Sequence, residues 1–530
     1  MKAHQPAPQL QTLIPQLDQR VIQLGPVTSL DQLSCMTINS IAYRSDAVQP
    51  GGLFFCIPGI KADGHTFAAD AAAHGAAVLA VEHPVDVDLP QIRFDNTRLA
   101  LAQTASRFYG NPADSLIVSA VTGTNGKTTT TYLIDWICRY HLAQSQGISL
   151  EQATAHTGLI GTVETRVGNT RLHSQFTTPE SLELQKLLAD MRDAQVSHVC
   201  MEASSHAIAL HRVAGINFAV AAFTNLTQDH LDFHHTMEEY FEAKASLFDP
   251  PTVAHRVIDV DTLYGRKLQA RCLNNGYKPL TCGCSEDARI RATHISYGAH
   301  ATTLDLITPE GTYPLTYPLI GGFNVSNITL AAGAAWSLGI PTAHITAALA
   351  QCPQIPGRLE RVTAQGMSPT DPHQPPISVF VDYCHTPDSI EKALEALDKI
   401  KTARTIIVFG CGGDRDSTKR PLMGKAALNA DLAIVTSDNP RSEDPQSIIM
   451  DILPGMAEGT DRYQVEPDRH KAIALALSKA APGDIVLIAG KGHEDYQLVG
   501  DKVLDFDDRK VAAQELATLS YADKGAASCN

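Results

Sequence analysis

A glycine-rich turn between a short apolar run and a helical pattern constrains this chain more than any other feature. Residues 118–122 are mostly apolar, as expected of a buried strand, and residues 129–140 place Leu133, Ile134 and Ile137 on one helix face. Such a turn points backbone N–H groups and the positive end of the helix at an anion. A lysine can add positive charge there, and a threonine hydroxyl can bind Mg²⁺. The pattern predicts a nucleotide-binding loop consisting of Gly123, Thr124, Asn125, Gly126, Lys127, Thr128 and Thr129.

This loop differs from the common pattern G-x-x-x-x-G-K-[ST]. Val121 stands where the first glycine is expected, so the loop is a short variant that begins at Gly123. The alternative interpretation is a strand-to-helix turn that binds nothing. Lysine and threonine directly after the second glycine favour the nucleotide site.

The length and net charge of the chain limit the classes of protein that this sequence can encode. At 530 residues the chain is too long for one hydrophobic core, and a typical size of roughly 100 to 200 residues per domain predicts about three domains. The net charge of -15 argues against a general nucleic-acid binder, although a local basic pocket for an anionic substrate remains compatible with it.

Cysteine usage and hydropathy indicate a cytoplasmic protein. The eleven cysteines are scattered, and the one close pair, Cys282 and Cys284, has no second pair or nearby histidines at zinc-finger spacing. We therefore expect reduced thiols and no structural zinc. The absence of an apolar segment after Met1, or of 18 consecutive apolar residues anywhere, disfavours both export and membrane insertion.

Three segments with different patterns follow one another, and we predict domains at residues 1–115, 116–352 and 353–530. The first has strand patterns at 53–57 and 76–81 and a helix pattern at 68–74, which predict a small α/β domain. Taken alone, its polar residues near Ser45 and in the loop 61–65 are typical of solvated loops.

The middle segment alternates strands and helices, which predicts a mostly parallel sheet with the phosphate loop at its carboxyl edge. Predicted strands at 197–201 and 218–223 are followed by Glu202 and His230, which are candidate Mg²⁺ ligands beside Thr128. From the residues alone, structural roles are equally compatible. Lys244 lies among acids on a predicted helix, where a solvent-exposed position is favoured. Asn324 or Asn327 can cap the next helix or contact a base, and capping is favoured.

The third segment predicts a doubly wound, Rossmann-like sheet, with strands at 378–381, 405–409, 432–435 and 484–488. Each of these strands is followed by polar residues, and two of the polar segments contain arginine. Because arginine binds carboxylates through two parallel hydrogen bonds, this edge predicts a pocket for a charged ligand that carries a carboxylate.

Taken in order along the chain, these motifs resemble those of the Mur ligase family. They are the phosphate loop, residues 202–206, 224–226, Asp229, His230, residues 322–327, 356–358, 382–388 and 438–441. The resemblance runs from Gly51 to about Asp508. It implies an α/β fold of three domains: a domain for a UDP-linked substrate, a central phosphate-loop domain and a Rossmann-like domain for an amino acid.

The resemblance also implies a reaction, an ATP- and Mg²⁺-dependent amide synthesis. The γ-phosphate would pass to the D-Glu side-chain carboxylate of UDP-N-acetylmuramoyl-L-alanyl-D-glutamate, and an amine would then displace phosphate from the acyl phosphate. Catalysis of this kind consists mostly of positioning and charge neutralisation. We expect a monomer with neither nucleic-acid nor membrane partners.

Residues that match family positions are assigned roles by this resemblance. Ser45 and the loop 61–65 match the uridine site, although Arg-Ser-Asp replaces the common Asp-Ser-Arg. Thr177, Thr178, Ser204 and Arg212 match contacts to the muramoyl-dipeptide. Glu202 and His230 match metal positions. Lys244 matches a lysine that becomes carbamylated and binds a second Mg²⁺. The catalytic residues that the resemblance implies are Lys127, His230 and Lys244. The matches around the nucleotide are Asn324, Arg358, Asp382 and His385.

In the third domain, Asp438, Asn439, Pro440 and Arg441 resemble the signature of members that add meso-2,6-diaminopimelate. Arg415, Gly490 and Glu494 match further contacts to it. The chemistry agrees, because this amino acid ends in a carboxylate and an ammonium where lysine has only an ammonium. The alternatives are a lysine-adding member, a ligase like folylpolyglutamate synthetase and, in another class, an ATP-driven switch or motor. The reactivity of Cys384 and Cys411 stays open.

Overall fold

The structure is a computed structural model that describes residues 7–59, 62–172, 176–298, 300–367 and 376–519. Lys61, a residue of the predicted uridine loop, lies outside the described residues. The described chain forms three main β-sheets and one separate hairpin. No described helix is long and apolar enough to span a lipid bilayer.

The first sheet has five strands in the order β1-β5-β4-β3-β2, and only β1 is antiparallel to its neighbour. Alternate residues of β3 face opposite sides: Leu53 and Phe55 pack into one apolar cluster and Phe54 into another. This confirms the small α/β unit. Its strands are β1 Val21–Gln23, β2 Ser40–Ala42, β3 Gly52–Phe55, β4 Ala76–Val81 and β5 Gln91–Arg93, and its helices are α1 Leu10–Leu13, α2 Leu30–Ser34, α3 Ala68–Ala73 and α4 Thr97–Phe108.

The central sheet has eleven strands in the order β16-β15-β14-β13-β12-β11-β6-β10-β7-β8-β9. They are β6 Ile117–Thr122, β7 Thr157–Ile160, β8 Thr165–Val167, β9 Thr170–Leu172, β10 His198–Glu202, β11 Val220–Phe223, β12 His255–Asp259, β13 Leu280–Gly283, β14 Ile290–Tyr297, β15 Thr302–Thr308 and β16 Gly311–Tyr317. The strands from β14 to β7 are parallel, and the antiparallel strands at both ends were not anticipated from the sequence. The phosphate loop follows β6 in the middle, between β10 and β11.

Helices cover both faces of the central sheet. On one face, Ile134 and Ile137 of α5 share an apolar cluster with Ile328 of α12, and on the other face Leu184 and Leu188 of α7 contribute to a second cluster. The helices are α5 Lys127–Gln146, α6 Leu150–Thr154, α7 Ser181–Asp193, α8 Ser205–Ala209, α9 Leu231–His234, α10 Met237–Ala245, α11 Leu263–Asn274, α12 Gly322–Ser337 and α13 Thr342–Ala350.

The third sheet confirms the doubly wound prediction. Its order is β17-β18-β22-β19-β20-β21, with β17 antiparallel and the others parallel. The strands are β17 Glu360–Val362, β18 Ser378–Asp382, β19 Thr405–Phe409, β20 Leu432–Val435, β21 Tyr463–Val465 and β22 Ile485–Ala489; the hairpin is β23 Tyr496–Val499 and β24 Lys502–Asp505. The helices are α14 Pro387–Asp398, α15 Lys419–Ala427, α16 Pro445–Ile452, α17 Arg469–Lys479 and α18 Asp508–Thr518.

Each of the three predicted segments therefore contains one main sheet. The boundaries themselves, at 115/116 and 352/353, stay a prediction. The strand order places the ends of β18, β22, β19 and β20 side by side, and these are the four strands whose polar ends were predicted to form a pocket.

Candidate active site

The phosphate loop takes a conformation that requires glycine. Gly123 and Gly126 have φ angles of 145° and 83°, a region that residues with a side chain rarely adopt. A Cβ atom on Gly123 would lie 1.8 Å from Thr224 Oγ1, and one on Gly126 would lie 2.3 Å from Asn327 Oδ1. The missing glycine at Val121 is of no consequence here, because Val121 is a buried residue inside β6.

Hydrogen bonds from the segment after β11 hold the loop in shape. The Thr124 N–H donates to Asn225 O at 2.8 Å and the Asn125 N–H to Asn225 Oδ1 at 3.0 Å. Lys127 Nζ donates to Thr124 O at 2.8 Å and to Gly123 O at 3.0 Å. Burial lowers the pKa of Lys127, and the carboxylates of Glu202 and Asp229 oppose that shift.

Thr128 and Glu202 form an oxygen-rich group beside the loop. Both are buried, and the Thr128 hydroxyl donates to Glu202 Oε1 at 3.1 Å. The Glu202 carboxylate also accepts the Thr162 N–H at 2.8 Å and the Thr162 hydroxyl at 3.1 Å. Arg358 Nη2 donates to Thr128 Oγ1 at 3.0 Å. A carboxylate and a hydroxyl are the hard oxygen donors that Mg²⁺ prefers, so the residues fit this ion.

His230 lies in the same cavity with a φ of 52°. Burial lowers its pKa to about 4, and the neighbouring Asp229 opposes the shift. His230 is therefore neutral at physiological pH, the form in which an imidazole can bind a metal. The His206 ring contacts it edge-on, with ring centroids 4.9 Å apart.

Lys244 corrects the interpretation drawn from the residues alone. It was expected on a solvent-exposed helix face, but its residue is only 1% exposed. Lys244 lies one helical turn after the buried Tyr240 and therefore on the same inward face of α10. Its Nζ donates to Gly123 O at 2.8 Å and lies 4.7 Å from the Tyr240 ring centroid. Burial, followed by the nearby Lys127, lowers the pKa of Lys244 well below its usual range.

Two adjoining cavities contain most of the predicted site residues. The loop cavity, of about 600 Å³, lies between the central and third sheets, and the sheet-edge cavity, of about 900 Å³, lies over the carboxyl edge of the third sheet. Both are lined by Asp229, His230, Tyr383, His385 and Thr386, so they meet at these residues. The loop cavity also contains Thr124 to Thr129, Thr177, Glu202, Ser204, Arg358 and Asp382; the sheet-edge cavity contains Arg415, Asp438, Asn439, Arg441, Gly490 and Glu494.

Asp382 and His385, two of the residues predicted to lie around the nucleotide, both line the loop cavity. Asp382 accepts the backbone N–H groups of Leu359 and Cys384 at 2.7 and 2.8 Å, and burial raises its pKa. The Nδ1–H of His385 donates to Tyr383 O at 2.8 Å, and desolvation lowers the pKa of this histidine.

The two asparagines of α12 correct the capping prediction. The helix N-cap is Gly321, with no side-chain cap. Asn324 Nδ2 donates to Ile320 O at 2.7 Å and Asn327 Nδ2 to Asn324 Oδ1 at 2.9 Å. Asn327, rather than Asn324, lines the loop cavity. A nucleotide contact by Asn324 stays a prediction.

Two arginines in the sheet-edge cavity form no ion pair within 4 Å among the described residues, although their charges contribute, after the hydrogen bonds from Ser442, to a lowered pKa of the nearby Asp414. Arg441 Nη1 donates to Gly413 O at 2.8 Å, and Arg415 Nη1 to Asp414 O at 2.9 Å. Both bonds are to backbone carbonyls, which leaves the positive charges available to a ligand carboxylate.

Glu494, which also lines this cavity, is paired. Its Oε2 accepts from Asn439 Nδ2 at 2.8 Å and from the fully buried Lys491 at 3.1 Å. Burial raises the pKa of Glu494, and Lys491 opposes that shift. Gly490 is required, because a Cβ there would lie 2.4 Å from Asp438 Oδ2.

The residues assigned to the muramoyl-dipeptide form a connected group. Thr178 Oγ1 donates to Glu202 O at 2.8 Å, Arg212 Nη1 donates to Thr178 O at 3.0 Å, and Arg212 also pairs with Glu180 at 2.6 Å. Thr177 and Ser204 line the loop cavity. Ser45 lies beside the exposed Arg44–Asp46 ion pair and lines neither cavity. The other predicted site residues that line neither cavity include Thr178, Arg212, Pro440, Gly123 and Lys244.

Sequence reasoning missed several residues of the site. Asn225 and Thr227 bond to the loop, Asp388 reaches it from the third segment, and Lys392 pairs with Asp388. Signals existed for three of them, because Asn225 lies in the motif at 224–226, Asp388 ends the motif at 382–388, and Lys392 follows four residues later on a predicted helix.

Comparison with known proteins identifies the family. Family models match residues 37–109 (Mur ligase family, catalytic domain), 121–335 (Mur ligase middle domain) and 357–492 (Mur ligase, glutamate ligase domain). A "UDP-N-acetylmuramoyl-L-alanyl-D-glutamate--2,6-diaminopimelate ligase" from Geobacillus thermodenitrificans is 43% identical over 486 residues, which are 90% of this chain and 94% of the relative. The chain belongs to the Mur ligase family.

Solved Mur ligases share the fold. A structure of a ligase with the same name as that relative is 30% identical, covers 96% of this chain and 99% of its own, and superposes with a TM-score of 0.67. The MurF ligase from Thermotoga maritima, in complex with ADP, is 19% identical, covers 90% of this chain and 96% of its own, and has a TM-score of 0.54.

Proposed function

We propose that this Mur ligase is an ATP-dependent enzyme that joins meso-2,6-diaminopimelate to the D-Glu side-chain carboxylate of UDP-N-acetylmuramoyl-L-alanyl-D-glutamate, in peptidoglycan precursor synthesis. The observation that carries the proposal is the junction of the two cavities. A phosphate loop lines one, and two arginines that form no ion pair within 4 Å among the described residues line the other.

The chain's own groups are suited to activating a carboxylate. The backbone N–H groups at the start of α5 and the Lys127 ammonium neutralise a triphosphate, and the same charges stabilise phosphoryl transfer to a carboxylate oxygen. His230, held neutral, lies where the two cavities meet. An amine entering from the sheet-edge cavity then attacks the acyl carbon, the C–N bond forms, and phosphate leaves with the oxygen.

We propose that Thr128, Glu202 and His230 hold Mg²⁺. The ion would supply charge neutralisation to the phosphates. The support is the buried hydroxyl and carboxylate 3.1 Å apart, with the neutral imidazole in the same cavity. We further propose that Lys244 becomes carbamylated, because its lowered pKa favours the uncharged amine that reacts with carbon dioxide.

The choice of amino acid is assigned to Arg441, Arg415 and Glu494. The distal end of diaminopimelate carries a carboxylate for the arginines and an ammonium for the glutamate. Lysine would leave both arginines without a carboxylate, which disfavours a lysine-adding member.

An acceptor screen tests this function. Phosphate release is measured with ATP and the UDP-muramoyl-dipeptide, and with either diaminopimelate or lysine as acceptor. We expect turnover with diaminopimelate and little with lysine. Equal or better turnover with lysine would overturn the specificity, and turnover with a folate in place of the UDP-substrate would favour a folylpolyglutamate synthetase instead.

Arg441→Ala tests the role of the guanidinium. Loss of a charge-assisted hydrogen bond of about 2 kcal/mol should raise the KM for diaminopimelate roughly thirtyfold while the KM for ATP stays unchanged. The control is Arg462→Ala, an exposed arginine of the third segment outside both cavities. Unchanged kinetics in Arg441→Ala would remove this residue from the site.

We propose that the enzyme acts as a monomer in the cytoplasm. One chain supplies every part of the site described above, and the reaction consumes ATP from the cytoplasmic pool.

We also propose domain boundaries at 1–115, 116–352 and 353–530, because each segment contains one main sheet.

A further inference from the structure

Asp388 connects the third segment to the phosphate loop. It is the second residue of α14, and its Oδ2 accepts from Asn125 Nδ2 at 3.1 Å and from Thr227 Oγ1 at 3.3 Å. Lys392, one turn later on the same helix, pairs with that oxygen at 2.9 Å. One carboxylate oxygen is thereby fixed beside the loop that binds the phosphates.

Asp388 also lines the cavity assigned to the amino acid. Among the described hydrogen bonds and ion pairs, none uses its other oxygen, Oδ1, and its side chain is 36% exposed. The carboxylate thus has one anchored oxygen and one that a ligand in this cavity can reach.

Six carboxylates line this cavity, and their hydrogen-bond partners distinguish Asp388 from the other five. Among the described hydrogen bonds, Asp388 alone of the six contacts the phosphate loop. Asp229 also lines the loop cavity, but it accepts from the N–H of His230, a proposed Mg²⁺ ligand. The other four accept from groups of the third segment: Asp414 from Ser442, Asp416 from Thr418, Asp438 from Asn439 N–H, and Glu494 from Asn439 and Lys491.

The proposed reaction needs a proton acceptor at this place. An amino acid arrives as an ammonium, which has no lone pair and cannot attack an acyl phosphate. The acceptor must lie in the amino-acid cavity and close to the phosphate loop, and a general base must come within hydrogen-bond reach of the proton it removes.

We propose that Asp388 is the general base that deprotonates the attacking ammonium of the amino acid, an inference that rests on the proposed function. The Asp388 carboxylate takes one proton from the ammonium, and the freed lone pair forms the C–N bond to the acyl carbon. The C–O bond to the phosphoryl group breaks, phosphate leaves with that electron pair, and the amide nitrogen loses its second surplus proton to the departing phosphate.

Charged and titratable groups of both the third and the central segment lie near the Asp388 carboxylate or line its cavity. Lys392 on its own helix pairs with the anchored oxygen, Oδ2, at 2.9 Å. Lys419 and His385 from the third segment, and Asp229 and His230 from the central segment, line the same cavity.

Hydroxylamine provides the decisive test. This weakly basic amine is mostly unprotonated at neutral pH, and it converts an acyl phosphate into a hydroxamate without needing a base. Asp388→Asn keeps the shape and an anchoring oxygen but cannot accept the proton. We expect it to lower turnover with diaminopimelate about a hundredfold or more, while hydroxamate formation stays within about threefold of the wild type.

Two further variants complete the experiment. Asp388→Glu keeps a carboxylate and should recover part of the diaminopimelate turnover, and Glu391→Gln, on the exposed side of α14, should behave as the wild type. An equal loss of both reactions in Asp388→Asn, or no loss in either, overturns the proposal. If the wild type forms neither hydroxamate nor amide from the UDP-muramoyl-dipeptide, the proposed function itself fails.

Discussion

At the residue scale, two lysines share one acceptor. The Nζ atoms of Lys127 and Lys244 donate to Gly123 O at 3.0 and 2.8 Å. Burial in this site disfavours the charged form of both lysines, and the nearby Lys127 adds to this effect at Lys244. The pKa of each lysine is lowered, that of Lys244 well below its usual range. Such an arrangement favours a chemical role for Lys244 over a merely structural one.

Lys244→Met and Lys244→Arg test that role. Neither residue can be carbamylated, and we expect both variants to lose about a hundredfold or more in kcat if a metal contact is lost. Wild-type activity should fall in buffer depleted of carbon dioxide and return with bicarbonate. Retention of activity by Lys244→Arg would contradict carbamylation, because arginine keeps only the positive charge.

Asp259 predicts a pH dependence of stability. It is buried at the end of β12, and burial raises its pKa to about 7. Because the folded-state pKa lies above the unfolded value of about 4, the charged form is disfavoured in the fold. The free energy of unfolding should therefore decrease as the pH rises from about 4 to about 7.

Asp259→Asn removes this titration. Relative to the wild type, the variant should gain more stability at pH 8 than at pH 5, measured by urea unfolding. Asp505→Asn, an exposed change on β24, serves as the control. The same stability difference at both pH values would mean that burial of Asp259 costs nothing.

At the element scale, short segments position single functional groups. The hairpin β23–β24 adds to the segment after β20: the Arg441 N–H donates to Leu498 O at 3.0 Å, and the Gly500 N–H donates to Arg441 O at 2.7 Å. These bonds hold Arg441 at a φ of 53°, a conformation uncommon for residues other than glycine. The hairpin thus helps aim the guanidinium into the sheet-edge cavity.

The strand-to-helix turn gives a prediction with a matched control. Gly126→Ala and Gly147→Ala both place alanine at positive φ and should each cost about 1 kcal/mol of stability. Gly126→Ala also meets Asn327 Oδ1, whereas a Cβ on Gly147 has no neighbour within 4 Å. Only Gly126→Ala should raise the KM for ATP, roughly tenfold or more. An equal KM in both variants would mean that the close packing of the loop is unimportant for binding.

At the scale of the whole molecule, the site lies between sheets. Arg358 and Asp388 reach the phosphate loop from the third segment, at Thr128 and Asn125. Ligands that occupy both cavities add contacts across this interface and favour closure.

Small-angle X-ray scattering can measure this closure. We expect the radius of gyration to decrease when a nonhydrolysable ATP analogue and diaminopimelate are both present, and less with either alone. An unchanged radius with both ligands would indicate that the two segments already have their final arrangement.

Local pattern was sufficient for much of the fold. Alternation of apolar strands with helical patterns predicted the three α/β units, and Gly123, Gly126 and Lys127 marked the phosphate loop because its backbone conformation restricts which residues can occupy it. The antiparallel strands at both ends of the central sheet were not anticipated, since their pairing depends on neighbours distant in the chain.

The sequence by itself determined the chemistry of the loop and the polar strand ends that follow β10, β11, β18, β19, β20 and β22. Only the tertiary structure decided which of these groups meet. It buried Lys244 against Gly123, placed Asn327 rather than Asn324 in the loop cavity, and brought Asp388 to Asn125. The physical reason is that burial and contact between distant segments depend on how whole helices and strands pack together. The pattern within a short stretch of sequence does not contain this information.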